Sequence, residues 1–270
     1  MSSLCAPHIN GKICYSKDDL LLLTDNYNRF NKDEIKYKKN SSRKFLFNQL
    51  KERFSTCDNQ LCWLKKSNIP KKHIERIISN FRPIQPKSWS KDKYTWLNTL
   101  DINNVMEQYE KKHTNFKFFG AVPADCPSGI HCALSNLDFN KFSRDKFDVL
   151  GVIYNLDTHN QGGSHWVANV INLKKNEIAY YDSTAHKPNR HINKFIQSSL
   201  MKLKKLNKRK PVYHYNTTNH QTGGSECGMF SMNYLIHYLK GHPCKTIFKM
   251  KFTDNQMNEL RSVLYIKENN

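Results

Sequence analysis

Gln221-Thr222-Gly223-Gly224-Ser225-Glu226-Cys227-Gly228-Met229-Phe230 is a glycine-rich loop that runs directly into an apolar stretch, residues 227–239, closed by Gly241 and Pro243. Apolar side chains over that length, with turn residues at both ends, predict a buried helix whose first turn holds Cys227. The unpaired N–H groups and positive dipole end of a helix favour thiolate over thiol, and the thiolate is the nucleophile. Gly228 leaves room beside the sulfur for a substrate carbonyl, and the Cys227 backbone N–H points at an oxyanion. By itself the segment fits a buried cysteine at a helix cap equally well.

A nucleophilic cysteine needs a base. His165 is the best placed of twelve histidines, where Gly162-Gly163-Ser164 leads into the alternating stretch Trp166-Val167-Ala168-Asn169-Val170. The imidazole in turn needs an acceptor that fixes its tautomer, and Asp182 follows Tyr180-Tyr181 at the end of the next predicted strand. A hairpin between the two strands brings Asp182 beside His165. Gln221, six residues before Cys227, supplies a side-chain amide for the second oxyanion hydrogen bond. A structural histidine and a loop-packing glutamine are the plain alternatives for these positions taken singly, whereas their order and spacing together argue for catalysis.

Working outward, residues 147–156, 165–173 and 177–181 read as the strands at a sheet centre, the last two joined by the turn Lys174-Lys175-Asn176, with 211–215 as a shorter strand. Helices are expected over 93–112, 193–206, 227–239 and 253–266. Upstream, 20–30, 45–54 and 74–81 carry helical periodicity in a Lys- and Asn-rich region with little strand alternation. The two prolines in Arg82-Pro83-Ile84-Gln85-Pro86-Lys87-Ser88 mark a linker, which divides the chain into a basic, mainly helical N-terminal arm, 1–85, and a catalytic domain, 86–270. The fold class is α+β, a central mixed sheet flanked by helices.

The formal charge is +20, from 43 Lys and Arg against 23 Asp and Glu, which attracts phosphate polymers and acidic surfaces. The basic residues are scattered and not interleaved with stacking aromatics, so non-specific DNA contact is the reading, not sequence recognition. The first residues lack the apolar core of an export signal, and no stretch nears the roughly 18 apolar residues of a membrane span. A soluble intracellular protein follows, and its eight cysteines read as reduced thiols. Cys57-x4-Cys62 and Cys126-x5-Cys132 lack the paired short spacings of structural zinc, so no metal and no cofactor are expected.

His165-Trp166, the step of seventeen residues to Asp182 within Tyr180-Tyr181-Asp182-Ser183, and Gln221-x5-Cys227-Gly228-Met229-Phe230 together resemble the motifs of the ubiquitin-like-protein (SUMO) proteases and the related adenovirus-type proteases. Trp96-Leu97-Asn98 followed by Ile102-Asn103 resembles the family's Trp-Leu-Asn-Asp...Ile-Asn segment, although Thr99 stands where the family usually has an acid. Glu226 replaces the Asp that commonly precedes the nucleophile. The resemblance covers roughly residues 90 to 240 and implies a papain-type fold. It also implies that Trp96 and Trp166 wall a narrow channel for a small-residue substrate tail. The helical arm is similar in kind to that of polyprotein-processing proteases of large DNA viruses such as African swine fever virus.

The expected activity is that of a cysteine endopeptidase cleaving after small residues, Gly-Gly-X or Ala-Gly-X, with Trp96, Trp166 and Gly228 binding substrate. A viral maturation protease acting on capsid or core polyproteins, in the virion and the viral factory of the host cytoplasm, is the leading expectation. Two alternatives remain open: a deconjugase acting on a ubiquitin-like precursor, and a catalytically idle, basic DNA-binding structural protein.

Overall fold

The structure is a computed structural model and describes residues 4–6, 13–92, 94–128 and 132–267. Two compact units emerge: residues 1–85 together with 262–270, and residues 86–261.

The N-terminal unit is built from α1 (Lys17–Phe30), α2 (Arg43–Arg53), α3 (Leu61–Lys66) and α4 (Lys71–Ile78). Ser16 starts α1 through a capping box: its hydroxyl accepts from the Asp19 N–H at 3.0 Å while the Asp19 carboxylate accepts from the Ser16 N–H at 2.9 Å. Leu20, Leu23, Leu46, Leu50 and Phe81 bury completely or nearly so, and Tyr15 stacks on Trp63 with ring centroids 5.6 Å apart. This is an ordinary amphipathic helical core. A parallel bridge between Ile84 and Ile266 ties in the residues near the C-terminus.

The second unit is a three-layer α+β body. In chain order it contains α5 (Thr99–Lys112), β1 (Phe116–Pro123), α6 (Phe139–Arg144), β2 (Val149–Asn155), β3 (Trp166–Asn172), β4 (Glu177–Tyr181), α7 (Arg190–Asn207), β5 (Val212–Tyr215), α8 (Cys227–Leu239) and α9 (Cys244–Ile247). The last helix, α10 (Asp254–Leu264), starts in this unit. The sheet order is β1-β2-β3-β4-β5, parallel at both edges and antiparallel at the centre, so it is mixed as expected. One face carries Leu150, Val152, Tyr154, Val167, Ile171, Ile178 and Tyr180 against Ile192, Phe195, Ile196 and Leu203 of α7. Opposite them lies α8, where Tyr181 stacks on Tyr234 at 4.8 Å between centroids. Because α8 is covered almost all round, its sequence is apolar throughout instead of striped.

Two expectations are corrected, and one strand was not anticipated. Helix 93–112 begins only at Thr99, since the Asn98 side chain accepts from the Asp101 N–H at 3.0 Å and Asp101 returns the bond to the Asn98 N–H at 2.9 Å; residue 93 lies outside the described residues. An asparagine offered that box caps a helix in preference to continuing one. Strand β1 went unread because its alternation is interrupted: the register shifts between Phe118 and Ala121, around Gly120 at φ +93°, and the strand ends in proline at a sheet edge. Finally, six cysteines are paired, Cys5–Cys14, Cys57–Cys62 and Cys126–Cys132, with Cα–Cα distances of 5.0, 5.6 and 5.4 Å. That proximity exists only in the folded chain, and spacing alone does not reveal it. Cys227 and Cys244 are free thiols.

Candidate active site

Cys227 is the first residue of α8 and 2% exposed, which puts it in the turn whose N–H groups open the helix. The β3–β4 hairpin pairs Ala168 with Tyr181, and continuing that register one step sets Asp182 opposite Val167, two residues from His165. His165 Nε2 lies 2.7 Å from Asp182 Oδ1. The Cys227 side chain also acts on the ring, raising its pKa, and with Nε2 committed to Asp182, Nδ1 is the nitrogen left to serve the sulfur. The sequence-selected His165, Asp182 and Cys227 are therefore brought together in one chain of contacts.

Electrostatics follow from that geometry. Burial works against a charged His165, but the Asp182 and Cys227 partners outweigh it and push the imidazole up to about 9. Burial also opposes the Asp182 charge, while the hydrogen bonds from His165 and Thr184 hold its carboxyl below the usual value. All three described donors converge on Oδ1: His165 at 2.7 Å, the Thr184 N–H at 2.9 Å and the Thr184 hydroxyl at 2.8 Å. The result is a charged carboxylate that supports an imidazolium at neutral pH.

Gln221 is buried. Its carbonyl accepts from the Ser183 hydroxyl at 2.7 Å and its amide donates to the Gly223 carbonyl at 2.8 Å. An amide nitrogen carries two hydrogens, and Gly223 takes one. The loop between Gln221 and Cys227 is gripped by α10, whose role sequence reasoning missed. Asp254 accepts from the Thr222 and Gly223 N–H groups at 3.0 and 2.9 Å, and Asn258 donates to Glu226 at 3.0 Å. Arg261 donates to the carbonyls of Ser225 and Thr95 at 3.1 and 3.0 Å. Their spacing of three to four residues shows only that they share a helix face, and the loop they hold lies about thirty residues away in sequence.

Asn216 was missed for the same reason. It follows β5, and its side chain holds both backbone groups of Asp182. Only the parallel pairing of β4 with β5 puts it there.

Trp96, Trp166 and Gly228 meet at one side of the site. The Trp166 indole donates to the Leu97 carbonyl at 2.9 Å, which fixes the segment that carries the half-exposed Trp96. A Cβ built on Gly228 would lie 3.1 Å from Leu97 Cδ1 and 3.3 Å from Trp166 Cδ1, so the glycine allows Leu97 and Trp166 to close on α8. Both tryptophans line an open groove of about 430 Å³ with Asn155, Asp157, Gln161 and Gly163. A larger cavity, about 820 Å³, lies in the N-terminal unit and contains none of the residues just described.

A thiol at a helix start, an imidazole and a carboxylate in sequence define the class of papain-type cysteine hydrolases. Residues 107–269 match the Ulp1 protease family, C-terminal catalytic domain. The chain is 30% identical to the putative thiol protease R355 of Acanthamoeba polyphaga mimivirus, over 97% of this chain and 93% of that one. It is 21% identical to the cysteine protease S273R of African swine fever virus, over 87% of this chain and 92% of the relative. The crystal structure of the ASFV pS273R protease superposes with a TM-score of 0.69 at 18% identity, covering 86% of this chain and 94% of that one, which bears on the fold. The chain belongs to the Ulp1 protease family and is a cysteine protease.

Among the described residues, no helix is long and apolar enough to cross a membrane.

Proposed function

We propose that the chain is an endopeptidase in which Cys227 is the nucleophile, His165 the acid and base, Asp182 the orienting carboxylate and Gln221 an oxyanion donor. The observation that carries this reading is the His165 ring, bonded to buried Asp182 through Nε2 at 2.7 Å and raised in pKa by both Asp182 and Cys227.

In acylation the Cys227 thiolate forms a C–S bond to the substrate carbonyl carbon, and the carbonyl electron pair moves to oxygen. The Cys227 N–H and the second Gln221 amide hydrogen receive that oxyanion. On collapse the C–N bond breaks and the His165 imidazolium gives its proton to the leaving amine. Neutral His165 then takes a proton from water, whose oxygen attacks the thioester carbonyl; breaking the C–S bond releases the acid and restores thiolate and imidazolium.

The groove beside Trp96 and Trp166, with Gly228 beneath Leu97, supports cleavage after small residues, Gly-Gly-X or Ala-Gly-X. Because the relatives are viral proteases, the substrates in this reading are capsid or core polyproteins, cleaved in the virion and viral factory. The charge of +20 supports an additional non-specific contact with packaged DNA, which salt-dependent binding to duplexes of unrelated sequence would test. A peptide panel varied at the residue before the scissile bond tests the specificity: fast cleavage after Gly-Gly and Ala-Gly is expected, and equal cleavage after Phe or Leu overturns it. Covalent labelling by a probe derived from a ubiquitin-like modifier, together with no cleavage of polyprotein peptides, would replace polyprotein processing by deconjugation.

A further inference from the structure

Glu177, His214 and Cys244 come from three separate elements, the start of β4, the short strand β5 and the start of α9. Nevertheless a carboxylate oxygen, an imidazole nitrogen and the Cys244 sulfur all lie within 4.8 Å of one another. Asp182 closes the other end of β4, so this cluster is separate from the candidate catalytic one. We propose that Glu177, His214 and Cys244 form a zinc-binding site.

The donor set is that of zinc: one thiolate, one imidazole and one carboxylate. Glu177 Oε2 and His214 Nε2 are 3.7 Å apart, longer than a hydrogen bond of about 2.7–3.2 Å. Two ligand atoms about 2.0–2.1 Å from a tetrahedral zinc are themselves separated by about 3.4 Å, so the spacing suits an ion between them better than a proton. Glu177 is also held as metal-binding carboxylates are. Its Oε1 accepts from the Tyr238 hydroxyl at 2.6 Å, which in turn accepts from the Asn172 amide at 2.8 Å, leaving Oε2 turned toward His214.

Charge fits as well: an entering Zn²⁺ would displace the Cys244 thiol proton to solvent, and thiolate plus carboxylate would neutralise the ion. Solvent takes the fourth position, on the side where Glu177 and His214 are 16% and 13% exposed. The bound ion staples the edge of the sheet to α9, at the end of β4 remote from Asp182, and so acts on stability and not on chemistry.

The test uses the full chain carrying Cys227→Ala, which removes the other free thiol, stripped of metal by chelator dialysis and titrated with Co²⁺. One equivalent per chain is expected, with the near-ultraviolet charge-transfer band of a cobalt thiolate and the visible bands of tetrahedral cobalt, both displaced by Zn²⁺. Adding Cys244→Ser should abolish the charge-transfer band, and adding His214→Ala should weaken binding by more than about tenfold. Far-UV circular dichroism checks that each variant is folded. Should the Cys244→Ser chain fail to fold, the His214→Ala titration and a rise in Tm of the Cys227→Ala chain with added Zn²⁺ decide in its place. Absence of a thiolate band in the Cys227→Ala chain, or a band that survives Cys244→Ser, overturns the site.

Discussion

Asn216 holds Asp182 by both of its backbone groups: the Asn216 side-chain oxygen accepts from the Asp182 N–H at 2.8 Å, and its side-chain nitrogen donates to the Asp182 carbonyl at 2.7 Å. All of these atoms belong to buried residues, so the pair fixes the strand end from which the carboxylate meets His165.

Replacing Asn216 with Ala leaves the buried Asp182 N–H unpaired, at a cost of about 1–3 kcal/mol, while the Asp182 carbonyl keeps its bond from the Ala185 N–H. Asn216→Ala should therefore lower Tm and also lower kcat, with KM little changed, because Asp182 moves and not the groove. Steady-state kinetics beside thermal unfolding check this; a loss of Tm with kcat intact would make Asn216 purely structural.

His165 contributes to a defined pH window. Its folded pKa of about 9 lies above its ordinary 6.5, so its ion pair stabilises the fold fully below 6.5 and the contribution is lost as pH rises through about 9. Asp182, held below its ordinary 3.8, contributes above that value and its contribution is lost as pH falls through the lower folded value. Cleavage needs the imidazolium to protonate the leaving amine, so the rate should fall along the same alkaline limb. In Asp182→Asn that limb should move down toward 6.5. A pH–rate profile of the variant with the limb unmoved would refute the role of Asp182.

Cys227→Ala and Gln221→Ala should separate by magnitude. Loss of the nucleophile should cost at least about 10⁴-fold in kcat, whereas loss of one oxyanion donor should cost about 10²- to 10³-fold. Single-turnover rates on one peptide measure both, with circular dichroism as the check on folding. Equal, small losses would place the chemistry elsewhere.

Gly228→Ala puts a methyl 3.1 Å from Leu97 Cδ1 and 3.3 Å from Trp166 Cδ1. Overpacking of this kind costs about 1–3 kcal/mol. Leu97 should be displaced, and because the Trp166 indole donates to its carbonyl, the Trp96 side of the groove should move with it. KM should rise more than kcat falls, alongside a lower Tm; unchanged KM would show that the groove is not used by substrate.

The local sequence determined what depends on neighbours along the chain. The glycine loop and uniform apolar run placed Cys227 at the start of a buried helix, because periodicity and turn residues act over a few residues. The short Lys174-Lys175-Asn176 turn required β3 and β4 to pair, which carries Asp182 back toward His165. Strand β1 stayed illegible because a bulge at Gly120 breaks the alternation on which strand reading depends. The cysteine pairs were likewise hidden, since bonding depends on the Cα–Cα distance reached in the folded chain.

Contacts made across long separations were decided by the tertiary structure alone. Parallel pairing at the sheet edge, with a helix between the paired strands, sets Asn216 on Asp182 and His214 near Glu177. Packing of α10 sets Asp254, Asn258 and Arg261 on the loop before Cys227. Local patterns carry only the direction in which a side chain leaves its element. The side chain it meets depends on how distant elements bury their apolar faces together, which no single segment encodes.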